Sequence, residues 1–395
     1  MSRPLRLLRW CLFLGGAALF FGGCASRPAA GPVVPRTQVP AQIVSNLFFV
    51  ESVQADGVTR RFLVDTGSST TYVSPEVARK LTVKTKDAPA TVRIESVHGE
   101  VVTLPRAVLR RLQVGTAVFE HVPVALYDFA ELSEHLGLKV DGLLGFPLFR
   151  DRLLTLDYAQ ARLLLAPLSA GAAHPPRDRP GHSTLTFSNE QGVPFIPVQL
   201  GNESFVVLID TGSDGALALN PAGLHPRFLH GPRPGTFVSS LAGDRQQEVG
   251  RLAQDLLVGT HVVAQPIVDL TGHVSTLGGE LLRHFTLTFD QRRKLVTFAR
   301  SAEGRVVLDS RRSTGLALAR TPAYWRVIEV VPATPAQEAG VQAGELIVRI
   351  NGEPVGRWDF GRFAALLDTA AKITFTFVAG TREIDRELPI VELVP

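Results

Sequence analysis

The sequence predicts a mainly β chain built around a duplicated unit and followed by a smaller α+β module. Three observations carry that prediction. Asp-Thr-Gly-Ser occurs twice, at 65–68 and 210–213. The apolar runs around both copies are short, rich in Val, Leu, Ile and Phe, and broken by Gly, Pro or Asp. After Ala299 the pattern changes to strands interleaved with helical spacing. A chain of 395 residues also exceeds one ordinary core and fits two or three domains. With 45% hydrophobic and 20% charged residues it has a folding composition, and 35 glycines and 27 prolines favour turns over a helical bundle.

The N-terminus reads as an export segment. Arg3, Arg6 and Arg9 precede an apolar run from Trp10 to Phe21, shorter than the ~20 residues of a membrane span, so residues 1–23 are expected to be a signal peptide. With those arginines set aside the formal charge falls from +4 to +1, and nucleic acid, which needs a basic face, is not an expected partner. The run ends in Phe21-Gly22-Gly23-Cys24, which resembles a bacterial lipoprotein lipobox with Phe21 where Leu is usual. That resemblance implies an acylated Cys24 and a membrane attachment through lipid. Ala25 and Ser26 lack the aspartate of an inner-membrane retention signal, which points to the periplasmic face of the outer membrane. An ordinary secretory signal with an incidental cysteine is the other reading. Residues 24–43 would then be a tether, since Ala25–Pro40 is rich in Ala, Pro and Arg and has no periodicity. Cys11 and Cys24 are the only cysteines, so none remains for a disulfide, a zinc site or a thiol nucleophile. The histidines are scattered and no nucleotide-binding glycine loop occurs, so neither metal nor cofactor is expected.

The repeat extends well beyond the motif. Phe62-Leu63-Val64-Asp65 pairs with Val207-Leu208-Ile209-Asp210, and Ser74-Pro75 pairs with Asn220-Pro221 as an N-cap and first helical residue. Hairpin tips are expected at His98-Gly99 and Ala242-Gly243. Leu112–Gly115 matches Leu256–Gly259, and Leu144–Asp157 aligns without gaps on Leu277–Asp290. Five landmarks in one order define lobes at 44–168 and 185–300, joined by a Pro-rich linker at 169–184.

A carboxylate that ends a wholly apolar strand leaves a core in which a lone charge is costly. Gly67 and Gly212 permit a tight turn that aims N–H groups at the carboxylate. Thr66 and Thr211 can bond across a junction, and Ser68 and Ser213 can donate to the carboxylates. Two such aspartates facing each other cannot both ionise. They share a proton and hold a water, one acting as general base and the other as general acid. Asp-Thr-Gly-Ser followed by Leu143-Leu144-Gly145, and again by Thr276-Leu277-Gly278, resembles the pepsin and retropepsin aspartic peptidases over roughly 44–300. The resemblance implies two pseudo-symmetric retropepsin-like β lobes and endopeptidase action on protein or peptide substrates. It makes Asp65 and Asp210 the catalytic dyad and the two hairpin tips the flaps. Thr276 replaces an apolar residue and neither tip has a flap tyrosine. The serine hydroxyls would lower the carboxylate pKa values, giving an acidic pH optimum and slow turnover in a neutral envelope. A protein that keeps this fold but only binds peptides is the alternative.

The last segment has its own signature. Pro332–Gly340, Gly344-Glu345 and Ile350-Asn351-Gly352 resemble a bacterial PDZ domain over 313–395. Thr334 and Gln337 are spaced as a capping box, Asn351-Gly352 as a hairpin turn, and 360–370 has helical spacing. The resemblance implies that a C-terminal or internal peptide adds a strand beside Ala317–Arg320. Its carboxylate would meet the backbone of Gly315, Leu316 and Ala317, next to Leu318. Ala317 stands where glycine is usual, so a methyl group narrows that nest. A PDZ domain that only packs against the lobes is equally compatible with these residues. Trp325 and Trp358 are the only tryptophans besides Trp10, and Trp358 is expected to pack in the core.

Overall fold

The two repeats build the same strand pattern, and the reason is the apolar character of the strands that carry the motif. A computed structural model describes residues 36–83, 90–95, 101–168, 180–240, 243–321 and 323–395. In the first repeat, Leu47–Val53 and Thr59–Asp65 form a hairpin. Thr59–Asp65 runs parallel to Gly142–Gly145, which is antiparallel to Thr71–Val73, itself parallel to Ala117–Leu126. In the second repeat Phe195–Leu200 and Glu203–Ile209 form the hairpin. Glu203–Ile209 runs parallel to Thr276–Leu277, which is antiparallel to Leu217–Leu219, itself parallel to Ile267–Leu270. Phe62, Leu63, Val64, Val207, Leu208 and Ile209 are all buried, as parallel strands covered on both faces must be. Gly115 and Gly259 close the matching hairpins at the same φ of +59°, which explains why both copies hold glycine there.

Three features depart from simple duplication. Ser74 caps the helix Pro75–Leu81 by accepting from the Val77 N–H, whereas Asn220-Pro221 opens only a turn, with Asn220 Oδ1 accepting from Ala222 N–H. Residues 127–141 of the first repeat contain a helix, Ala130–Leu136, while the equivalent 271–275 passes without one. The expected linker is shorter than its composition suggests, because the strand His182–Thr186 begins inside it and pairs with Leu295–Ala299. The strands Arg162–Pro167, Arg152–Asp157, Thr286–Asp290 and Leu295–Ala299 lie side by side. They join the repeats in one sheet, and a single apolar cluster runs through both.

The C-terminal module has its own core around Trp325, Phe363, Phe375 and Phe377. Its sheet runs from the edge strand Leu316–Arg320 through Trp325–Val330, Leu346–Ile350 and Lys372–Ala379 to Arg382–Pro389. The helix Phe360–Thr369 is capped by Asp359, whose side chain accepts from Arg362 N–H. Asn351 and Gly352 take φ of 48° and 77°, the primed turn that their sequence predicts. The capping box does not form. In the short helix Pro335–Glu338, the Thr334 hydroxyl donates to Val331 O, and Gln337 Oε1 accepts from Ala333 N–H instead. Arg311 holds both carboxylate oxygens of Asp269 in the second repeat, at 2.6 and 2.9 Å. Arg251 donates to the Pro395, Gln265 and Leu308 carbonyls, and Arg233 to those of Leu393, Pro332 and Ala333. Among the described residues no helix is long and apolar enough to cross a membrane.

Candidate active site

Asp65 ends the strand Thr59–Asp65, and Asp210 directly follows Glu203–Ile209. Each turn folds back on its own carboxylate: Gly67 N–H donates to Asp65 Oδ1 at 2.7 Å and Gly212 N–H to Asp210 Oδ1 at 2.9 Å. The threonines cross. Thr66 Oγ1 donates to Ile209 O at 2.6 Å and accepts from Thr211 N–H at 3.2 Å. Thr211 Oγ1 donates to Val64 O at 2.8 Å and accepts from Thr66 N–H at 3.0 Å. Both threonines are fully buried, so these four bonds form where water does not compete.

The crossing sets each glycine against the opposite carboxylate. A Cβ on Gly67 would stand 2.4 Å from Asp210 Cγ, and one on Gly212 would stand 2.5 Å from Asp65 Cγ. Gly145 and Gly278 back the same loops, where a Cβ would meet Thr70 O at 2.4 Å and Gly215 O at 2.3 Å. Thr276 does not loosen the second element. It is 5% exposed and keeps its pairing with Leu208 and Ala218.

The two carboxyls hydrogen-bond to each other. Burial, then the Asp210 charge, then that shared bond push Asp65 well above the usual carboxylate range. Burial also raises Asp210, while the Gly212 N–H and the bond from Asp65 oppose the rise. The pair therefore titrates as a unit that shares a proton. The serine hydroxyls do not play the part expected of them. Ser68 Oγ donates to Thr70 O at 2.8 Å, and its backbone N–H, not its hydroxyl, faces Asp65. Ser213 likewise offers Asp210 its backbone N–H.

Several neighbours carry no motif and were not foreseen. Burial raises the Tyr72 hydroxyl to about 12; it bonds Ser68 and feels the Asp65 charge. Burial also raises Tyr158, whose buried hydroxyl has no partner among the described residues and feels both aspartates. Asp214 is raised by surrounding protein, with His135 and then Arg311 pulling it down. A cavity of about 960 Å³ opens beside Gly67 and Ser69. Its walls include Phe195, Phe205, Leu208 and Leu224, with Arg93 on the hairpin strand Thr91–Glu95. Short spacing in the sequence could not announce contacts that long-range packing creates.

His98, Gly99 and Ala242 lie outside the described residues. Gly243 opens the strand Gly243–Leu252 opposite Ser240, and Glu95 pairs with Val101. In the C-terminal module Gly315 has φ +92°, and a Cβ there would fall 1.9 Å from Thr334 Oγ1. Its N–H already donates to Ser313 Oγ, so it is not available to the expected carboxylate nest. Leu316, Ala317 and Leu318 are each 6–7% exposed. Trp358 is 5% exposed and packs under Arg362, in keeping with a packing role. Among the described residues no cluster of three His, Cys, Asp or Glu could hold a metal.

Two family models match the chain. The one described as aspartyl protease covers residues 51–148, and the one described as PDZ domain covers 326–378. The chain thus carries an aspartyl protease domain and a PDZ domain. No curated protein matches it. Among solved structures, the aspartic proteinase from Irpex lacteus is similar at 14% identity and a TM-score of 0.41, covering 68% of this chain and 98% of that one.

Two predictions follow from the crossing and the shared proton. Thr66→Val keeps the shape but leaves the Ile209 carbonyl and Thr211 N–H unbonded, so denaturant melts should show a loss of roughly 2–4 kcal/mol. A carboxyl whose pKa is raised on folding holds its proton while the unfolded chain has lost it, so its contribution to stability falls as pH rises above the ordinary carboxylate value. Asp65→Asn should therefore raise the melting temperature at pH 7 and change it little near pH 3.

Proposed function

We propose that this chain is an aspartic endopeptidase in which Asp65 and Asp210 activate a water for peptide hydrolysis. The observation that carries the reading is the reciprocal crossing of Thr66 and Thr211, which sets each motif's glycine against the other motif's carboxyl. Asp210, the ionised partner, takes a proton from the water as its oxygen attacks the peptide carbonyl carbon. Asp65 gives its proton to the carbonyl oxygen. The tetrahedral diol then collapses: the C–N bond breaks, the amine leaves with a proton from Asp210, and the diol returns one to Asp65. On this reading the hairpins 91–114 and 228–252 would cover an extended peptide, and the cavity beside Gly67 would take one apolar side chain.

The N-terminal signal and Cys24 support an envelope lipoprotein, with the PDZ domain recruiting or regulating substrate. The tether expected over residues 24–43 is shorter than that, because Thr37–Val44 is a strand paired with Arg162–Pro167 and Leu47–Val53. The acidic optimum expected from the serine hydroxyls loses its basis, because Ser68 Oγ is committed to Thr70 O. A raised Asp65 carries the alkaline limb of the rate profile upward, so cleavage should persist toward neutrality and suit a neutral envelope.

The decisive experiment incubates the chain from Ala25 onward with a peptide mixture between pH 3 and 8 and reads fragments by mass spectrometry. Asp65→Asn and Asp210→Asn should each lose at least about a hundredfold in rate. Peptide binding without cleavage at any pH would favour the non-catalytic alternative. The lining also predicts a preference. Arg93 has no ion-pair partner among the described residues, and no carboxylate lines the cavity. Peptides with Glu near the apolar residue should therefore be cut faster than those with Lys, and Arg93→Glu should reverse that order by about tenfold.

A further inference from the structure

The edge strand of the PDZ domain does not lie open. The helix Ala130–Leu136 of the first repeat packs against both the strand Leu316–Arg320 and the helix Phe360–Thr369, the two sides of the groove in which an extended peptide would add. Its attachments are specific. Arg320, at the end of the edge strand, divides its guanidinium between two carbonyls. Nη1 donates to Glu134 O at 2.7 Å and Nε to Trp358 O at 2.9 Å. Glu134 O, in the last turn of its helix, also accepts from the Gly137 N–H at 3.3 Å, so Arg320 adds a second and shorter bond to that carbonyl. The His135 ring stacks on Phe360 with centroids 4.3 Å apart. Gly137, the left-handed C-cap with φ +70°, lets the chain turn directly over Asp359.

We propose that the 130–136 helix is the resident occupant of the PDZ groove, so that an extended peptide reaches the Leu316–Arg320 edge only by displacing it. The asymmetry of the repeats supports this. The second repeat passes through 271–275 without a helix, so the duplicated fold does not require the insertion, whereas the PDZ contact uses it. The displaced helix carries His135, whose charge bears on Asp214 in the loop that follows Asp210. Filling the groove is thereby linked to the surroundings of the proposed dyad.

The test is independent of cleavage when run in an Asp65→Asn background. A mixture of random decapeptides with free C-termini is passed over the immobilised chain, and retained peptides are counted by mass spectrometry. One protein is otherwise unchanged and a second carries Arg320→Met. A third carries Gly137→Cys and Asp359→Cys, with Cys11→Ser and Cys24→Ser. A Cβ on Gly137 would lie 3.0 Å from Asp359 Cβ, a small shift from the roughly 3.5–4.5 Å of a disulfide, so oxidation can pin the helix in place. Arg320→Met should retain at least about tenfold more peptide than the unchanged chain, because the competing occupant is weakened. The oxidised pair should retain at least about tenfold less than the same protein after reduction, a comparison that misfolding cannot mimic. Equal retention by the oxidised and reduced forms, or by Arg320→Met and the unchanged chain, would overturn the proposal. So would retention by none of the three, since the groove would then be no peptide surface.

Discussion

Everything in the site depends on two threonine hydroxyls buried where the repeats meet. Each is donor and acceptor at once, and each reaches across to the backbone of the other motif. A hydroxyl offers one hydrogen and two lone pairs, so this use leaves little unsatisfied in a place without water. The arrangement also determines where the carboxyls can be. Glycine is required at 67 and 212 not only for the turn but because the opposite carboxyl occupies the space of a side chain. Two acids held that closely and that deeply cannot both be charged, and the shared proton is a consequence of the packing.

The repeats cannot be separated as the sequence divides them. Arg152–Asp157 of the first and Thr286–Asp290 of the second are hydrogen-bonded neighbours, and the apolar cluster is continuous through both. Duplication therefore produced one folding unit. It also left room for difference away from the shared sheet. The helix after Ser74 survives in one copy and becomes a turn in the other, and the 130–136 helix has no counterpart.

What could be read from the sequence is what short spacing controls. Asp-Thr-Gly, the paired turns at Gly115 and Gly259, the Asn351-Gly352 turn and the alternation of the strands all concern residues a few positions apart. Their conformations follow from local sterics and from burial of apolar faces. The errors and omissions share the opposite property. Thr334 was expected to cap a helix, but its hydroxyl bonds backward to Val331. Ser68 was expected to serve its neighbour Asp65, but a nearer carbonyl captures the hydroxyl. Small hydroxyls accept whichever partner the final backbone offers, so residue type alone does not decide between partners. Tyr72, Tyr158 and His135 reach the site only through strands and a helix that assemble from distant parts of the chain.

The two kinds of junction in the molecule imply different mobility. The repeats share a core, and parting them would expose apolar surface and four bonds that water cannot replace inside it. The PDZ domain meets the repeats mainly through guanidinium groups. Arg233 and Arg251 hold carbonyls, Arg311 holds Asp269, and the apolar seam is limited to residues such as Val249, Ile267, Val331 and Leu393. Water can replace a guanidinium at an exposed carbonyl at modest cost, as at interfaces between domains that move. Arg311 is the exception that fixes position. Its own desolvation opposes its charge, but Asp269, with Glu280 and Asp214 beside it, more than offsets that loss. A half-buried ion pair of this kind contributes register more than net stability. The domain is thus positioned by one charge pair, a small apolar seam and the His135–Phe360 stack. Its remaining bonds are ones that solvent can take over, which suits a part that moves while the site it adjoins stays rigid.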